Sequence, residues 1–235
     1  MTGIPFDPPG AMGPLQRGRV RLEHCVPGQA DAARQAAWLA LLSPDEQARA
    51  ARFHFAEDRR AYLAAHALAR RMLAGASGRA PSSLRFVAGP AGRPELDPAL
   101  GLPGLRFNLS HARGLVACAL ALEDDVGVDV EALSRAARVA DLAARYFAPE
   151  EAAALARLPA ERREAAFLRL WTLKEAFVKA IGQGLSFGLE RFALRLDPPA
   201  LLRAPAEAGP VSGWAFHQAM PLPDHVLSVA LRRRG

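Results

Sequence analysis

The sequence repeats one order of elements twice, and this repetition restricts the fold more than any other feature. Strand-like and helical stretches of the first half lie at residues 19–25, 31–42, 43 onward, 57–74, 84–87, 105–109 and 115–122. The second half repeats that order at residues 126–131, 136–145, 148 onward, 161–181, 192–196, 211–216 and 225–231. A strand, three helices and three strands in tandem predict an α+β fold with lobes of residues 1–124 and 125–235. We expect the lobes to be related by a pseudo-twofold axis, with the active site between them.

A single offset of 105 residues aligns the helical parts of the two halves. It places Pro44 on Pro149 and Glu46 on Glu151, so each half has a helix that starts with proline and continues with an acid. The glycines expected to end the two long helices are Gly75, Gly78 and Gly182. The alternative is that two alanine-rich helices align by chance.

Composition restricts the class of protein further. The longest apolar run, Leu115 to Leu122, is far shorter than the ~20 residues of a membrane-spanning helix, and residues 1–7 do not resemble a secretion signal. Two cysteines are too few for a disulfide framework, so we expect a cytoplasmic protein with no membrane contact. The net charge of +6 suits a polyanionic small molecule or an acidic protein partner. A basic stripe interleaved with aromatic residues is missing from the sequence, which argues against nucleic acid.

Two carboxylates alternate with valines in the strand-like stretch 126–131. Because side chains alternate between the faces of a strand, Asp129 and Glu131 share one face, and the three valines face a core. Neighbouring carboxylates repel each other unless a cation lies between them. Mg²⁺ is the natural candidate, because it prefers oxygen ligands and combines carboxylates with substrate phosphates. The alternative is the solvated face of a half-buried strand.

The second long helix places Trp171, Glu175 and Lys179 four residues apart along one stripe, next to an apolar face. Lys174 and Lys179 are the only lysines among 30 basic residues. A compact ammonium does chemistry that a planar guanidinium cannot, so this use of lysine favours a functional role. The alternative is an exposed Glu175–Lys179 ion pair, which stabilises a helix by ~0.3–0.5 kcal/mol.

A third cluster of polar residues lies at the end of the stretch 106–114. Asn108 and Ser110 are expected on the outer face of a strand, and His111 at its end, where a turn begins. Arg93 lies on a separate turn. A hydroxyl, an imidazole and a guanidinium together can hold a phosphate. Alternatively, Ser110 and His111 satisfy backbone groups in the turn.

Three blocks of the sequence resemble the signature blocks of Sfp-type 4′-phosphopantetheinyl transferases. These blocks are FNLSH at 107–111, GVDVE at 127–131 and WTLKEAFVK at 171–179. They occur in the family's order and approximate spacing, and the turn at 92–94 resembles the family's G-[KR]-P turn. The similarity runs from about Ser43 to Leu185. The two-lobed, pseudo-symmetric fold of the family agrees with the repetition in this sequence.

The resemblance implies transfer of the phosphopantetheine arm of coenzyme A to a serine of an acyl or peptidyl carrier protein. Adenosine 3′,5′-bisphosphate would be released. Asp129, Glu131 and Glu175 would hold Mg²⁺ against the pyrophosphate, and Glu175 would also take the proton of the carrier serine. Lys174 and Lys179 would neutralise phosphate oxygens. The residues implied in binding the coenzyme A nucleotide are Arg49, Arg52, Arg93, Asn108, Ser110 and His111.

The chain departs from the family pattern at Glu46, where members often carry a basic residue. Arg49 and Arg52 are the expected substitutes for that phosphate contact. The offset of 105 places Arg70 opposite Glu175, which predicts a single metal site, on the second lobe. We expect a monomer, because a duplicated unit can form its site without a partner.

Two alternatives belong to other functional classes. One is a non-catalytic module with the same fold that binds carrier proteins without modifying them. The other is a serine hydrolase acting through Ser186, since residues 184–188 match the GxSxG pattern. That segment follows a helix and precedes a strand, whereas the hydrolase motif needs a strand, a turn and a helix.

Overall fold

The computed structural model describes residues 3–89, 92–133 and 139–234 of the chain. They divide into two units, one formed by Pro5–Asp124 and the other by the residues from Asp125 onward together with Gly3 and Ile4. Both units mix helices with antiparallel sheets, so the predicted α+β class is confirmed.

Among the described residues, the N-terminal unit contains five strands and three α-helices. In chain order they are β1 (Val20–Cys25), α1 (Ala32–Leu41), α2 (Pro44–Ala50), α3 (Ala56–Ser77), β2 (Phe86–Ala88), β3 (Pro94–Leu96), β4 (Leu105–Ala112) and β5 (Leu115–Leu122). Strands β1, β5 and β4 form an antiparallel sheet in that order, with β5 in the centre, and β2 pairs with β3.

The C-terminal unit contains the same elements in the same order. They are β6 (Asp125–Ala132), α4 (Val139–Tyr146), α5 (Pro149–Ala156), α6 (Ala160–Ile181), β7 (Ala193–Arg195), β8 (Ala200–Arg203), β9 (Trp214–Leu222) and β10 (His225–Arg232). Its antiparallel sheet has the order β6–β10–β9, and β7 pairs with β8. The topology therefore repeats strand for strand, which confirms the duplication read from the sequence.

Several element boundaries differ from the sequence prediction. Helix α3 continues through Gly75 and ends at Gly78, whose φ of 71° is left-handed and costs a glycine little. Short strands β3 and β8 were not predicted, because three or four residues are too few for a clear alternation. Residues 211–213 form a 3₁₀ turn, so β9 starts at Trp214. The first residues of the helix expected at 136–145 lie outside the described residues.

The starts of α2 and α5 confirm the predicted alignment of Glu46 with Glu151. Pro44 and Pro149 are the first residues of these helices, and each acid accepts the N–H of the residue before its proline. Only Ser43 completes a capping box, since its hydroxyl accepts the N–H of Glu46.

The long helices do not follow the offset of 105. Helices α3 and α6 each span 22 residues, and they begin at Ala56 and Ala160, which are 104 positions apart. Arg70 therefore corresponds to Lys174, and Arg71 to Glu175. The predicted match of Arg70 with Glu175 is wrong by one residue, because a continuous helical pattern gives no sign of a slip of one position.

Each long helix packs its apolar side against the sheet of its own unit. In the N-terminal unit Leu68 and Leu73 join Phe107 and Leu120 in one core. In the C-terminal unit the predicted core face of α6 is confirmed, and Phe177 lies at its centre. The ring of Phe177 lies 4.2 Å from that of Phe192 and 4.3 Å from that of Trp214.

Candidate active site

Asp129 and Glu131 lie on the face of β6 that α6 covers. Gly127 shares this face, and a β-carbon added there would lie 2.0 Å from the backbone oxygen of Ala176 on α6. Only glycine lets the two backbones approach so closely. Asp129 and Glu131 are 5% and 8% exposed, so the alternative of a solvated strand face is wrong.

Glu175 faces these two carboxylates from α6. Burial and the negative charges of Asp129 and Glu131 raise its pKa, Lys179 lowers it, and the net result is a pKa of about 7. Its Oε1 is buried and has no hydrogen-bond partner among the described residues. A buried carboxylate oxygen without a donor is costly, which indicates that the site is built for a positive group that is absent from the protein itself.

Lys179 supplies the positive charge nearest to the cluster. Its ammonium donates to Oδ1 of Asp129 at 2.6 Å and to the backbone oxygen of Val128 at 3.3 Å. The side chain is 26% exposed, so one side remains open to solvent. The alternative prediction was an exposed ion pair between Glu175 and Lys179. It does not describe this contact with Asp129.

The carboxylates fit a magnesium ion by their chemistry. Hard oxygen ligands are those that Mg²⁺ prefers, and an ion would relieve the repulsion that raises the pKa of Glu175. Within the described part of the chain, no three acidic, histidine or cysteine side chains already form a metal-binding arrangement. The side chains would therefore have to adjust around an ion.

Lys174 lies in the core, not in the carboxylate cluster. Its side chain is fully buried, and its ammonium donates to the backbone oxygens of Leu189 and Phe192 and pairs with Glu151 at 2.7 Å. Burial lowers its pKa to about 8. Because these contacts use all three N–H groups, the structure contradicts the expectation that Lys174 neutralises phosphate oxygens.

Arg70 makes the equivalent contacts in the N-terminal unit. It donates to Glu46 and to the backbone oxygens of Pro81 and Leu84. Burial acts to raise the pKa of Glu46, but hydrogen bonds from His66, Arg70 and Ser43 outweigh it and hold that pKa at about 2. Glu46 is thus a buried structural acid, which explains why no basic residue stands there.

A cavity of about 600 Å³ lies in the N-terminal unit between α2, α3, the β2–β3 hairpin and β4. Two of the predicted nucleotide-binding residues line it, Arg49 on α2 and the exposed His111 on β4. Tyr62 and His66 also line it; their rings lie 4.1 Å apart, and the Arg49 guanidinium lies 5.9 Å from the Tyr62 ring. Neither residue was predicted from the sequence, although their i, i+4 spacing places them on one face of α3.

The other predicted nucleotide-binding residues lie elsewhere. Asn108 and Ser110 share the face of β4 opposite to Phe107 and Leu109, as predicted, but both are buried, and His111 lies on the other face. Arg52 is exposed and lines a neighbouring cavity of about 640 Å³. Arg93 is half-buried and donates to Glu95 at 3.0 Å.

Ser186 does not occupy a nucleophile elbow. It lies in a 3₁₀ turn directly after α6, and its hydroxyl donates to the backbone oxygen of Gln183 at 2.6 Å.

No helix among the described residues is both long enough and apolar enough to span a membrane.

Comparisons with known proteins show the family to which the chain is similar. Residues 125–230 match the 4′-phosphopantetheinyl transferase superfamily, and residues 29–123 match the N-terminal part of 4′-phosphopantetheinyl transferases. The chain is 36% identical to 4′-phosphopantetheinyl transferase HetI of Nostoc over 83% of this chain and 81% of that protein. It is 29% identical to 4′-phosphopantetheinyl transferase Sfp of Bacillus subtilis over 68% of each chain.

One solved structure, a holo-(acyl-carrier-protein) synthase from Bacillus anthracis in complex with CoA (3′,5′-ADP), aligns with 47% of this chain and 96% of that chain. The identity is 17% and the TM-score 0.39, too low to support a structural conclusion. The match to HetI is sufficient by itself. The chain belongs to the 4′-phosphopantetheinyl transferase superfamily.

Proposed function

We propose that this protein transfers 4′-phosphopantetheine from coenzyme A to a serine hydroxyl of an apo acyl or peptidyl carrier protein. The carrier serine oxygen forms the new bond to phosphorus, and the pyrophosphate bond to adenosine 3′,5′-bisphosphate breaks. The observation that carries this proposal is the buried cluster of Asp129, Glu131 and Glu175 beside Lys179. It lies in a chain in which both units match this family.

The three carboxylates are the proposed ligands of Mg²⁺. They would hold the ion, which would supply positive charge to the pyrophosphate. Glu175, which faces the other two carboxylates from α6, is also the proposed acceptor of the serine proton. Lys179, which is open to solvent on one side, is the proposed contact to phosphate oxygens.

The cavity of the N-terminal unit is the proposed site for the coenzyme A nucleotide. Arg49 and His111 bring cationic or donor groups to it, and the Tyr62 and His66 rings offer flat apolar surface to a base. Arg93, on the turn that carries the cavity residues Gly92 and Pro94, is the proposed further phosphate contact.

The carrier protein is the proposed macromolecular partner. Carrier proteins of this class are typically acidic around the modified serine, and this chain has a net charge of +6.

We further propose that the protein acts as a monomer, because both family matches lie within one chain. Light scattering after size-exclusion chromatography, with and without coenzyme A, measures the oligomeric state.

Mass spectrometry of carrier proteins tests the reaction. Incubation with coenzyme A, MgCl₂ and a panel of apo carriers should add one phosphopantetheine to at least one carrier, and EDTA should prevent the addition. Glu175→Gln should lower kcat on the order of a hundredfold or more, as loss of a transition-state electrostatic partner does. Glu164→Gln, an exposed change on the same helix, is the matched control.

Two outcomes would contradict the proposal. Folded protein that binds coenzyme A but modifies no carrier would favour a non-catalytic binding module. Wild-type turnover of Glu175→Gln would remove Glu175 from both proposed roles.

A further inference from the structure

A buried hydrogen-bond network connects α6 to the sheet of the C-terminal unit. The Ser228 hydroxyl on β10 donates to Thr172 Oγ1 on α6 at 2.9 Å, and Thr172 donates to the backbone oxygen of Arg169 at 2.9 Å. Gln218 on β9 donates to Ser228 Oγ at 2.9 Å and to the backbone oxygen of Arg169 at 2.8 Å. Its Oε1 accepts from Arg169 Nε at 2.7 Å, so both polar atoms of the amide are used.

This network links α6, which carries Glu175, to β10, the strand that pairs with the other cluster-bearing element, β6. Ser228 is the direct cross-strand partner of Asp129 in the β10–β6 pair. Thr172 precedes Glu175 by three residues, which is about one turn of the helix. The contact between Ser228 and Thr172 therefore connects the neighbour of one carboxylate with the turn that precedes another.

The contact of α6 with β6 is close at Gly127. A β-carbon there would meet the backbone of Ala176 and Ala180, so glycine is needed for this approach. Hydrogen bonds are directional, so the contact between Ser228 and Thr172 restricts rotation and sliding of the helix in addition to the packing.

The N-terminal unit shows that the packing itself needs no polar network. The helix bounds and strand registers establish which residues of the two units correspond. In the N-terminal unit, Leu68 corresponds to Thr172, Cys118 to Ser228 and Leu109 to Gln218. All three belong to or pack against the apolar core of that unit. Burying hydroxyls and an amide costs free energy unless each is paired, so an apolar trio would serve stability at least as well.

We infer that Thr172, Gln218 and Ser228 are positioning residues that hold α6 at the setting in which Glu175 meets Asp129 and Glu131. The expected effect of these residues on activity rests on the proposed metal-dependent transfer function. The polar trio is present in the unit that carries three carboxylates and is replaced by apolar residues in the unit that does not.

Replacement of Thr172 tests the inference. Thr172→Val keeps the shape of the side chain but removes its hydrogen bonds, and Thr172→Ser keeps the hydroxyl. We expect Thr172→Val to weaken binding of MnCl₂, measured by isothermal titration calorimetry, and to lower kcat. Each effect should be about 10- to 100-fold, as for supporting residues of metal sites, with the KM for coenzyme A within about twofold of wild type. Thr172→Ser should recover most of both losses.

Two further variants separate positioning from stability. Ser228→Ala removes a single hydroxyl and replaces Thr172→Val as the test if Thr172→Val does not fold. It should also weaken Mn²⁺ binding. Cys118→Ala, at the position in the N-terminal unit that corresponds to Ser228, is the matched control. It should lower the melting temperature without changing the affinity for Mn²⁺.

Failure of this inference is distinguishable from failure of the proposed function. If the wild type modifies no carrier, the proposed reaction is wrong, and Mn²⁺ affinity alone decides whether the network positions the carboxylates. Folded Thr172→Val or Ser228→Ala with wild-type Mn²⁺ affinity would overturn the inference. An equal loss of Mn²⁺ affinity in Cys118→Ala would also overturn it, because the effect would then follow stability.

Discussion

Arg71 pairs with the Glu23 carboxylate at the two positions of the N-terminal unit that correspond to Glu175 and Asp129. The strand registers establish the match, since Glu23 and Asp129 occupy equivalent places beside the central strand of each sheet. An arginine on α3 thus lies where α6 carries Glu175, so the N-terminal unit has an ion pair where the C-terminal unit has two facing carboxylates. The duplication therefore leaves one acidic cluster among the described residues, in the C-terminal unit.

The elevated pKa of Glu175 predicts how stability depends on pH without metal. Its pKa is about 7 in the folded protein against 4.5 ordinarily, so the folded state retains a proton between these values that the unfolded state has lost. The protonated carboxyl of Glu175 is therefore easier to bury than the ionised one. Its contribution to the free energy of unfolding is complete below pH 4.5 and is lost as pH rises through about 7. In EDTA, wild type should therefore lose on the order of 2 kcal/mol relative to Glu175→Gln between pH 5 and 8.

Urea unfolding of both proteins at four pH values measures this difference. Saturating MgCl₂ should reduce it at pH 8, because the ion favours the ionised carboxylate. A difference that stays constant across this pH range would show that Glu175 titrates normally.

The buried pair of Lys174 and Glu151 should govern stability, not turnover. Lys174→Met leaves the Glu151 carboxylate buried without its cation, so we expect a loss of about 3–5 kcal/mol in the free energy of unfolding. The double variant with Glu151→Gln should lose less than the sum of the single variants. Lys179→Met is the contrast, because its side chain is partly exposed and contacts Asp129. It should lower kcat with a smaller effect on stability.

Denaturant unfolding and steady-state kinetics on the same preparations separate the two lysines. A stable Lys174→Met protein with impaired turnover would restore the phosphate-binding role expected from the family resemblance.

The close approach at Gly127 should make this position intolerant of any side chain. A β-carbon there would meet the backbone oxygen of Ala176 at 2.0 Å and the backbone nitrogen of Ala180 at 2.6 Å, and neither can move without shifting α6. Gly127→Ala should therefore cost at least about 1–3 kcal/mol. Gly28→Ala is the control, since nothing lies within 4 Å of its β-carbon. Differential scanning fluorimetry should show a large decrease in melting temperature for the first only, and equal melting temperatures would disprove the contact.

His111 should contribute to recognition of the 3′-phosphate of coenzyme A. A charge-assisted hydrogen bond contributes ~1.5–3 kcal/mol, so His111→Ala should lower kcat/KM for coenzyme A roughly 10- to 150-fold. With dephospho-coenzyme A, which lacks that phosphate, the same change should have little effect. His54→Ala, at an exposed histidine before α3, is the control.

Comparing wild type and His111→Ala with coenzyme A and dephospho-coenzyme A gives the coupling free energy between His111 and the 3′-phosphate. Equal losses on both substrates would assign His111 a structural role in the cavity wall. The same cycle with Arg93→Ala tests the second proposed phosphate contact.

Local patterns in the sequence determined most of the elements and their order. Alternation in β6 placed Asp129 and Glu131 on one face, and the proline and acid at the starts of α2 and α5 identified equivalent helices. These predictions depend on neighbours within a few residues, where backbone geometry and capping act directly. The repeated order of strands and helices followed from the same local signals.

Tertiary structure alone decided what each polar side chain of α6 meets. Lys174 and Lys179 are five residues apart, so they point about 140° away from each other around the helix. The sequence gives that angle but not which side faces the core. Lys174 meets Glu151 and two carbonyls in the interior, whereas Lys179 meets Asp129. Partners that lie far away in sequence make this choice, and only the packed chain brings them together.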